Sequence, residues 1–291
     1  MNFNKITLGA VQFGMNYGIS NNSGQTSIKE VSKILNLAHH LNITLIDTAI
    51  SYGSSEKNLG DIGIENFEVI SKLPSSYLKN KELSNSITRH IKESLIRLHK
   101  SSLYGFLCHN ASDLLSSNGE IIYKKLVEAK KNGLINKIGV SVYHPNEINQ
   151  LMNHYDLDII QAPFNIIDNR LQENGLISDL SKAKIELHVR SIFLQGLLLM
   201  DSRIRLSKFK KWKNLWNIWD EWLHDIKITP IEACISYVFS FNEISKVIIG
   251  VESEKQLQDI ANLKLPNELN IPSELKSNDQ LLINPANWNN F

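Results

Sequence analysis

The chain has 291 residues, of which 42% are hydrophobic and 21% are charged, and its formal net charge is +1 at pH 7. This length is ordinary for one α/β barrel, and the composition is that of a globular protein with a sizeable core. The near-neutral charge argues against nucleic acid as the main partner, because proteins that bind it usually carry a basic face. No run approaches the roughly 18 apolar residues that a membrane span needs, so we expect no membrane partner.

Cysteine usage and the first residues indicate the cell compartment. Cys108 and Cys234 allow at most one disulfide, and neither has a partner at metal-ligand spacing. Reduced thiols are therefore expected. The opening MNFNKITLGAVQFG contains no long apolar segment behind a basic start, unlike a secretory signal. We predict a cytoplasmic location and no metal.

Short apolar runs alternate with longer amphipathic runs along the whole chain. Segments such as 28–40, 83–99 and 120–133 place apolar residues three or four apart and predict helices. Apolar strands between helices are typical of a parallel sheet covered on its faces. The runs that predict strands are 6–14, 43–49, 67–74, 103–110, 137–143, 157–166, 186–194 and 246–251.

Eight βα units without a Pro/Gly/Ser-rich linker predict one domain over residues 1–291, an α/β chain with the (β/α)8 TIM-barrel fold. An open, doubly wound sheet is the alternative, although no GxGxxG motif follows the first strand. Neither fold decides between a monomer and a homodimer.

Two regions depart from the simple repeat. Residues 200–229 form an insertion after the seventh strand, with tryptophans at helical spacing at Trp212, Trp216, Trp219 and Trp222. The stripe either packs this helical insertion onto the barrel or forms a substrate-pocket wall or a dimer face. The polar segment 267–291 predicts a long, ordered C-terminal loop that could cross one face of the barrel.

Four reactive side chains stand at or just beyond the ends of successive predicted strands. Asp47 ends the second strand, Tyr52 follows in the next loop, Lys72 ends the third strand and His109 ends the fourth. Singly, each has an ordinary structural explanation, such as a helix cap for Asp47. Together they predict a shared site, because catalytic residues of this barrel lie at the C-terminal ends of strands.

The chemistry that these residues indicate is proton donation. A tyrosine has an ordinary pKa of about 10, and a buried ammonium group such as Lys72 is expected to lower the pKa of Tyr52. Asp47 can supply the carboxylate that a buried lysine needs. A phenol tuned in this way can protonate a carbonyl oxygen that His109 orients.

The runs LIDTAISYGSSEKNLG, ISKLP and FLCHNASDL resemble the signature of the aldo-keto reductases, in which Asp, Tyr, Lys and His form a tetrad. The resemblance continues through IGVSVY, IIQAPFNIIDNR, FLQGLLL and VIIGVESEKQLQDI. It implies reduction of an aldehyde or ketone to an alcohol, with hydride from NADPH or NADH and without metal. It assigns the acid to Tyr52, its tuning to Lys72 and Asp47, and the positioning of the carbonyl to His109.

The resemblance also implies a set of cofactor contacts along the second half of the chain. They are Ser141 and Gln161 at the nicotinamide, Gln195, Gly196 and Leu197 at the diphosphate, and Gly250, Ser253 and Gln256 at the adenosine end.

Three departures from the family pattern concern the cofactor and the substrate. Arg190 stands where an aromatic ring often stacks on nicotinamide, and its guanidinium can either stack or bind an anionic substrate. Val142 replaces an asparagine. Glu252 and Gln256 stand where basic residues usually hold the 2′-phosphate, although Lys255 is close in sequence. The family favours NADPH, and the carboxylate of Glu252 leaves NADH possible.

The segments LGAVQFGMNYGIS and LLINPANW resemble a bacterial branch associated with sugar or surface-polysaccharide pathways. The expected partner is therefore a small carbonyl compound, sugar-like or anionic. The polar loop residues Gln12, Asn16, Tyr17 and Asn165 suit a hydroxylated substrate, and equally suit contacts to the cofactor.

Two other functions stay open on the residues alone. One is a non-catalytic barrel that binds a nucleotide. The other is a barrel lyase with Lys72 as a Schiff-base nucleophile, against which the carboxylate of Asp47 argues.

Overall fold

Eight parallel strands lie side by side in chain order, and the last pairs with the first, so the sheet closes into a barrel. The computed structural model describes residues 1–21, 23–75, 83–266 and 268–288. The strands are Ile6–Gly9 (β1), Leu45–Asp47 (β2), Glu68–Leu73 (β3), Leu103–Cys108 (β4), Ile135–Ser141 (β5), Ile159–Pro163 (β6), Glu186–Arg190 (β7) and Ile244–Gly250 (β8). The predicted (β/α)8 fold is confirmed.

Helices follow the strands and cover the barrel. They are Ile28–His40 (α1), Ser55–Ile62 (α2), Leu83–Leu98 (α3), Ala111–Leu114 (α4), Gly119–Lys131 (α5), Pro145–Met152 (α6), Arg170–Glu173 (α7), Leu176–Lys182 (α8), Lys213–Ile226 (α9), Pro230–Phe239 (α10), Glu254–Ala261 (α11) and Gln280–Ile283 (α12). Within the described ranges, no helix is long and apolar enough to cross a membrane. The amphipathic pattern behind α1 is explained by its buried face, and Ser27 caps it by accepting from the Glu30 amide.

The predicted strand run 186–194 is wrong beyond Arg190. The chain leaves the sheet there because Ser191, Leu194 and Gln195 have φ of 59°, 49° and 53°, and Gly196 has φ of 90°. A strand cannot continue through this left-handed region. Ile192 and Leu194 of this apolar run are instead buried as part of the loop that follows β7.

The barrel interior is filled in layers along the strand direction. One apolar layer is formed by Leu45, Ile70, Leu107 and Ile159. Because every second side chain of a strand faces the same side, the residues two positions further on form the next layer, which consists of Asp47, Lys72, His109 and Gln161. The strand ends therefore bring a polar layer together above an apolar one.

A second polar group lies near the N-terminal ends of the strands, and we call Tyr104, Lys137, Glu186 and His188 the bottom cluster. The Tyr104 hydroxyl donates to Glu186 Oε2 at 2.9 Å and accepts from Lys137 Nζ at 2.6 Å. Lys137 also forms an ion pair with Glu186, whose Oε2 lies 3.1 Å from His188 Nε2. These side chains bind one another.

The insertion and the C-terminal segment pack against each other. Trp216, Trp219 and Trp222 are buried on α9, and Trp222 Nε1 donates to the Asn270 carbonyl at 2.8 Å. The segment expected as a loop contains α12 and two short 3-10 turns. Asp279 caps α12 and also accepts from Trp212 Nε1 at 3.0 Å. The stripe therefore acts in packing.

Candidate active site

A cavity of about 550 Å³ lies at the C-terminal ends of the strands, a volume within the range of small-molecule and cofactor sites. It is lined by most of the predicted site residues, namely Asp47, Tyr52, His109, Ser141, Gln161, Arg190, Gln195, Gly196, Gly250, Glu252 and Gln256. No tryptophan of α9 and no described residue after Ile260 is among the lining residues. The insertion and the tail therefore do not form its wall.

Three of the predicted site residues do not line the cavity. Lys72 is fully buried behind Asp47. Leu197 is buried in the core that the helices share with the barrel, and Ser253 caps α11 by accepting from the Gln256 amide at 3.2 Å. Leu197 and Ser253 thus have structural partners in place of cavity contacts.

Asp47 organises the buried polar layer. Its Oδ1 accepts from Lys72 Nζ at 2.5 Å, and its Oδ2 accepts from Gln161 Nε2 at 2.7 Å. Lys72 Nζ also donates to the Thr48 carbonyl at 2.8 Å and lies 5.1 Å from the centre of the Tyr52 ring. Because its amide nitrogen is engaged by Asp47, Gln161 has its carbonyl oxygen left for a ligand.

Two glycines hold the loop that carries Tyr52 against the loop after β1. A Cβ on Gly14 would lie 1.9 Å from the Tyr52 carbonyl oxygen, and a Cβ on Gly53 would lie 2.3 Å from the Gly14 oxygen. Gly53 also has a φ of +56°, which favours glycine. The close approach fixes the backbone from which the phenol projects.

The pKa of Tyr52 is shifted in the direction opposite to the expected one. Burial raises the pKa of Tyr52 and the charge of Asp47 adds to this rise, whereas the charge of Arg190 lowers it. Burial also lowers the pKa of Lys72, and Asp47 opposes that change. The expected lowering of the Tyr52 pKa by Lys72 is not seen, because burial of the phenol dominates and raises its pKa. The phenol is therefore protonated, as a proton donor must be.

His109 lies edge-on to Tyr52, with ring centres 5.7 Å apart. Burial lowers the pKa of His109 to about 3, and the charges of Lys72 and Arg190 contribute, so the imidazole is neutral near pH 7. Its Nδ1 lies 3.1 Å from Ser51 Oγ. Among the described residues, nothing hydrogen-bonds to the Tyr52 hydroxyl or to His109 Nε2, and both residues line the cavity.

Arg190 stacks on a residue that the sequence did not single out. Its guanidinium carbon lies 4.4 Å from the centre of the Tyr143 ring. Its Nη2 donates to the Val142 carbonyl at 3.0 Å and its Nη1 to Ser191 Oγ at 3.3 Å. Ser191, the next residue, leaves the strand with a φ of 59°.

The left-handed segment after β7 closes one side of the cavity. Gln195 Nε2 donates to the Tyr17 hydroxyl at 3.0 Å, and a Cβ on Gly196 would lie 1.9 Å from Ser20 Oγ. The loops after β1 and β7 therefore meet beside the cavity. Strained backbone of this kind concentrates at functional sites.

Acidic side chains line the cavity near the start of α11. Glu252 and Asp259 both face it, and the Glu252 amide donates to Gln256 Oε1 at 2.7 Å. Lys255 forms an exposed ion pair with Asp259 at 2.9 Å and does not line the cavity. Among the described lining residues, Arg190 is the one lysine or arginine.

The family model for the aldo/keto reductase family matches residues 5–271. The chain belongs to the aldo/keto reductase family. Its members are oxidoreductases that act on carbonyl groups with nicotinamide cofactors. No curated protein sequence matches this aldo-keto reductase.

Solved structures share its fold. A putative aldo-keto reductase of Pseudomonas aeruginosa is 23% identical, with a TM-score of 0.65 over 88% of this chain and 87% of that one. An aldo-keto reductase of Bacillus halodurans, in its holo form, is 19% identical, with a TM-score of 0.71 over 90% and 88%. A glycerol dehydrogenase of Gluconobacter oxydans is 17% identical, with a TM-score of 0.67 over 90% and 88%.

The cavity of this aldo-keto reductase fits a nicotinamide cofactor. Gln12 Oε1 is buried in the cavity wall and has no partner in the described part of the chain. A Cβ on Gly250 would lie 2.7 Å from Gln12 Nε2, so glycine lets the Gln12 amide lie against the end of β8. Ser141 and Gln161 add polar atoms on neighbouring strands. Within the described ranges, no cluster of metal-ligating side chains occurs.

Proposed function

We propose that this aldo-keto reductase reduces an aldehyde or ketone and that Tyr52 supplies the proton. The bound nicotinamide cofactor supplies the hydride. The Tyr52 hydroxyl donates its proton to the carbonyl oxygen, and His109 Nε2 donates a hydrogen bond to the same oxygen. The observation that carries this proposal is that both groups line the cavity without a described protein partner.

Lys72 and Asp47 act behind the phenol in this proposal. Their ion pair at 2.5 Å places a cation beside the Tyr52 ring, where it stabilises negative charge as the proton leaves. The same geometry argues against the lyase alternative. A Schiff base needs a lysine that reaches the substrate, whereas Lys72 is fully buried and is bound by Asp47 and Thr48.

The cofactor choice depends on the acidic end of the cavity. A 2′-phosphate placed near Glu252 would meet a carboxylate that has no described ion pair, while Lys255 is paired with Asp259 and does not line the cavity. Glu252 suits a ribose hydroxyl better. We therefore propose that NADH binds at least as tightly as NADPH, which revises the preference for NADPH that the family resemblance implied.

The one-domain organisation over residues 1–291 and the cytoplasmic location are also proposals. Contacts such as Trp222 to Asn270 and the Ser277 amide to Ile167 support a single domain. Cys108 and Cys234 are both free and buried, which suits a reducing compartment.

The test is carbonyl-dependent oxidation of NADH and NADPH by the wild type, Tyr52→Phe and Tyr104→Phe. Tyr52→Phe should lower kcat roughly 100- to 10,000-fold, because it removes the general acid, and should leave the Kd of each cofactor within about threefold. Tyr104→Phe, in the bottom cluster, should keep wild-type turnover. Retained turnover in Tyr52→Phe would refute the role of the phenol, and a clear excess of NADPH affinity would refute the role of Glu252.

A further inference from the structure

Arg190 brings a positive charge to the reacting end of the cavity, and no described carboxylate neutralises it. Its two described side-chain hydrogen bonds go to the Val142 carbonyl and to Ser191 Oγ. Asp47, the carboxylate of this end, has one oxygen engaged by Lys72 and the other by Gln161. Lys72 and Asp47 balance each other, so the charge of Arg190 remains.

The guanidinium is held in place and still has donors to offer. It stacks at 4.4 Å on the Tyr143 ring, and each described hydrogen bond uses one of the two N–H groups on its terminal nitrogen. One N–H on each terminal nitrogen and the Nε–H group are therefore left. A planar fork of this kind matches a carboxylate or a phosphate.

The neighbours of Arg190 in the cavity are neutral donors. Tyr17, Tyr52 and Tyr143 carry hydroxyls that line the same space. The charge of Arg190 lowers the pKa of Tyr17, Tyr52 and His109, although burial has the larger effect on each of them. The positive charge of Arg190 therefore influences every titratable group named here. A partly buried charge without a counter-ion is unfavourable. An anionic substrate group would supply that counter-ion.

We infer that the substrate is a carbonyl compound bearing an acidic group, carboxylate or phosphate, and that Arg190 binds this group. The inference rests on the proposed carbonyl reduction and adds the substrate class to it. Arg190 then positions the carbonyl near Tyr52 through its hold on the acid, in place of the stacking that an aromatic residue would provide.

The test compares matched substrates that differ in the acidic group: succinic semialdehyde with butanal, and glyceraldehyde 3-phosphate with glyceraldehyde. The wild type should prefer at least one acidic member by tenfold or more in kcat/KM. Arg190→Ala should lower kcat/KM for that member roughly 30-fold or more, because a charge pair is lost, and for its neutral partner less than about threefold. Arg190→Lys should restore part of the preference, since it keeps the charge and loses the fork.

Two controls separate this role from others. Arg203→Ala removes an exposed arginine paired with Asp201 and should leave kcat/KM for both acidic and neutral substrates unchanged. Cofactor Kd values, followed by fluorescence, should stay within about threefold in Arg190→Ala. Equal losses on neutral and acidic substrates, or a cofactor Kd that rises as much as the acidic KM, would overturn the inference and assign Arg190 to the cofactor.

A binding measurement keeps the inference distinct from the proposed reaction. Calorimetry on cofactor-loaded Tyr52→Phe should show succinic semialdehyde or glyceraldehyde 3-phosphate binding at least tenfold more tightly than its neutral partner. Adding Arg190→Ala should remove that difference. If the wild type reduces none of the four compounds but this difference is present, the proposed reaction fails and the anion site stands. If the difference is absent, the anion site fails.

Discussion

At each end of the barrel a tyrosine, a lysine, a carboxylate and a histidine lie together. The C-terminal end has Tyr52, Lys72, Asp47 and His109, and the N-terminal end has the bottom cluster of Tyr104, Lys137, Glu186 and His188. In both groups the lysine ammonium lies near the tyrosine ring: Lys72 Nζ is 5.1 Å from the centre of the Tyr52 ring, and Lys137 Nζ is 4.2 Å from that of Tyr104. The two groups thus share their residue types and a lysine close to the tyrosine ring.

The two groups differ in the hydrogen bonds of their tyrosine hydroxyls. The Tyr104 hydroxyl donates to Glu186 and accepts from Lys137, so its capacity for further bonds is largely used. The Tyr52 hydroxyl has no described partner and faces the cavity, while Lys72 and Asp47 satisfy each other behind it. A constellation becomes a site when its donors are left unsatisfied toward a space that a ligand can enter.

Strand β7 connects the two ends through alternate residues. Glu186, His188 and Arg190 follow one another at every second position, which faces the same side of a strand. Burial lowers the pKa of His188, although Glu186 opposes this change. Along β7, His188 therefore lies between the carboxylate of the bottom cluster and the cation of the cavity.

The largest contrast between the two ends is expected for their lysines. Lys72→Met leaves Asp47 as an uncompensated buried charge, which should cost about 3–5 kcal/mol in the free energy of unfolding and lower kcat roughly 100-fold or more. Lys137→Met should cost about 1 kcal/mol, because its ion pair is partly exposed, and should leave kcat unchanged. Urea unfolding and steady-state kinetics measure both quantities.

A double variant separates stability from catalysis at the C-terminal end of the barrel. Lys72→Met combined with Asp47→Leu removes both charges, and stability should recover by a few kcal/mol, since apolar replacement of a buried ion pair is often neutral. Turnover should stay low because the cation is still missing. Recovery of turnover together with stability would show that Lys72, like Lys137, has only a structural role.

The free energy of unfolding at low pH tests the bottom cluster. The bonds from His188 and Lys137 outweigh burial and hold the pKa of Glu186 at about 2, against an ordinary value of 4.5. A depressed carboxylate pKa contributes stability that is present above about pH 4.5 and is lost as the pH falls toward 2. Glu186→Gln should lower the free energy of unfolding by about 1–2 kcal/mol at pH 7, allowing for solvent screening.

The difference between wild type and Glu186→Gln should therefore shrink as the pH falls from 4.5 toward 2, and turnover at pH 7 should be unaffected. Urea unfolding of both proteins at several pH values measures this difference. A difference that is constant over this pH range would contradict the assigned charge of Glu186.

Parts of the site were predictable because they depend on local order along the strands. Asp47, Lys72 and His109 each stand two residues after an apolar interior residue, and the sequence shows this spacing directly. The direction of the Tyr52 pKa was not predictable, because a sequence shows which charges are near and not how deeply they are buried. The Arg190–Tyr143 stack joins side chains from two different strand ends, which no local pattern marks. Leu197 is buried in the core and Ser253 caps α11, so these two side chains have structural partners instead of cavity contacts.

The smallest expected effect concerns Ser51, whose hydroxyl is the described hydrogen-bond partner of His109 Nδ1 at 3.1 Å. Because the imidazole is neutral, a Ser51 hydroxyl that donates to Nδ1 leaves the proton on Nε2, the nitrogen that has to donate to a carbonyl oxygen. Ser51→Ala should lower kcat roughly fivefold, as expected for about 1 kcal/mol of one hydrogen bond, with little change in KM, and Ser51→Thr should restore it. The matched control is Ser112→Ala, which removes an exposed hydroxyl that donates to Asn110 Oδ1 and does not contact His109 in the described hydrogen bonds. An equal loss in Ser112→Ala, or no rescue by threonine, would mean that His109 keeps its orientation and tautomer without the Ser51 hydroxyl.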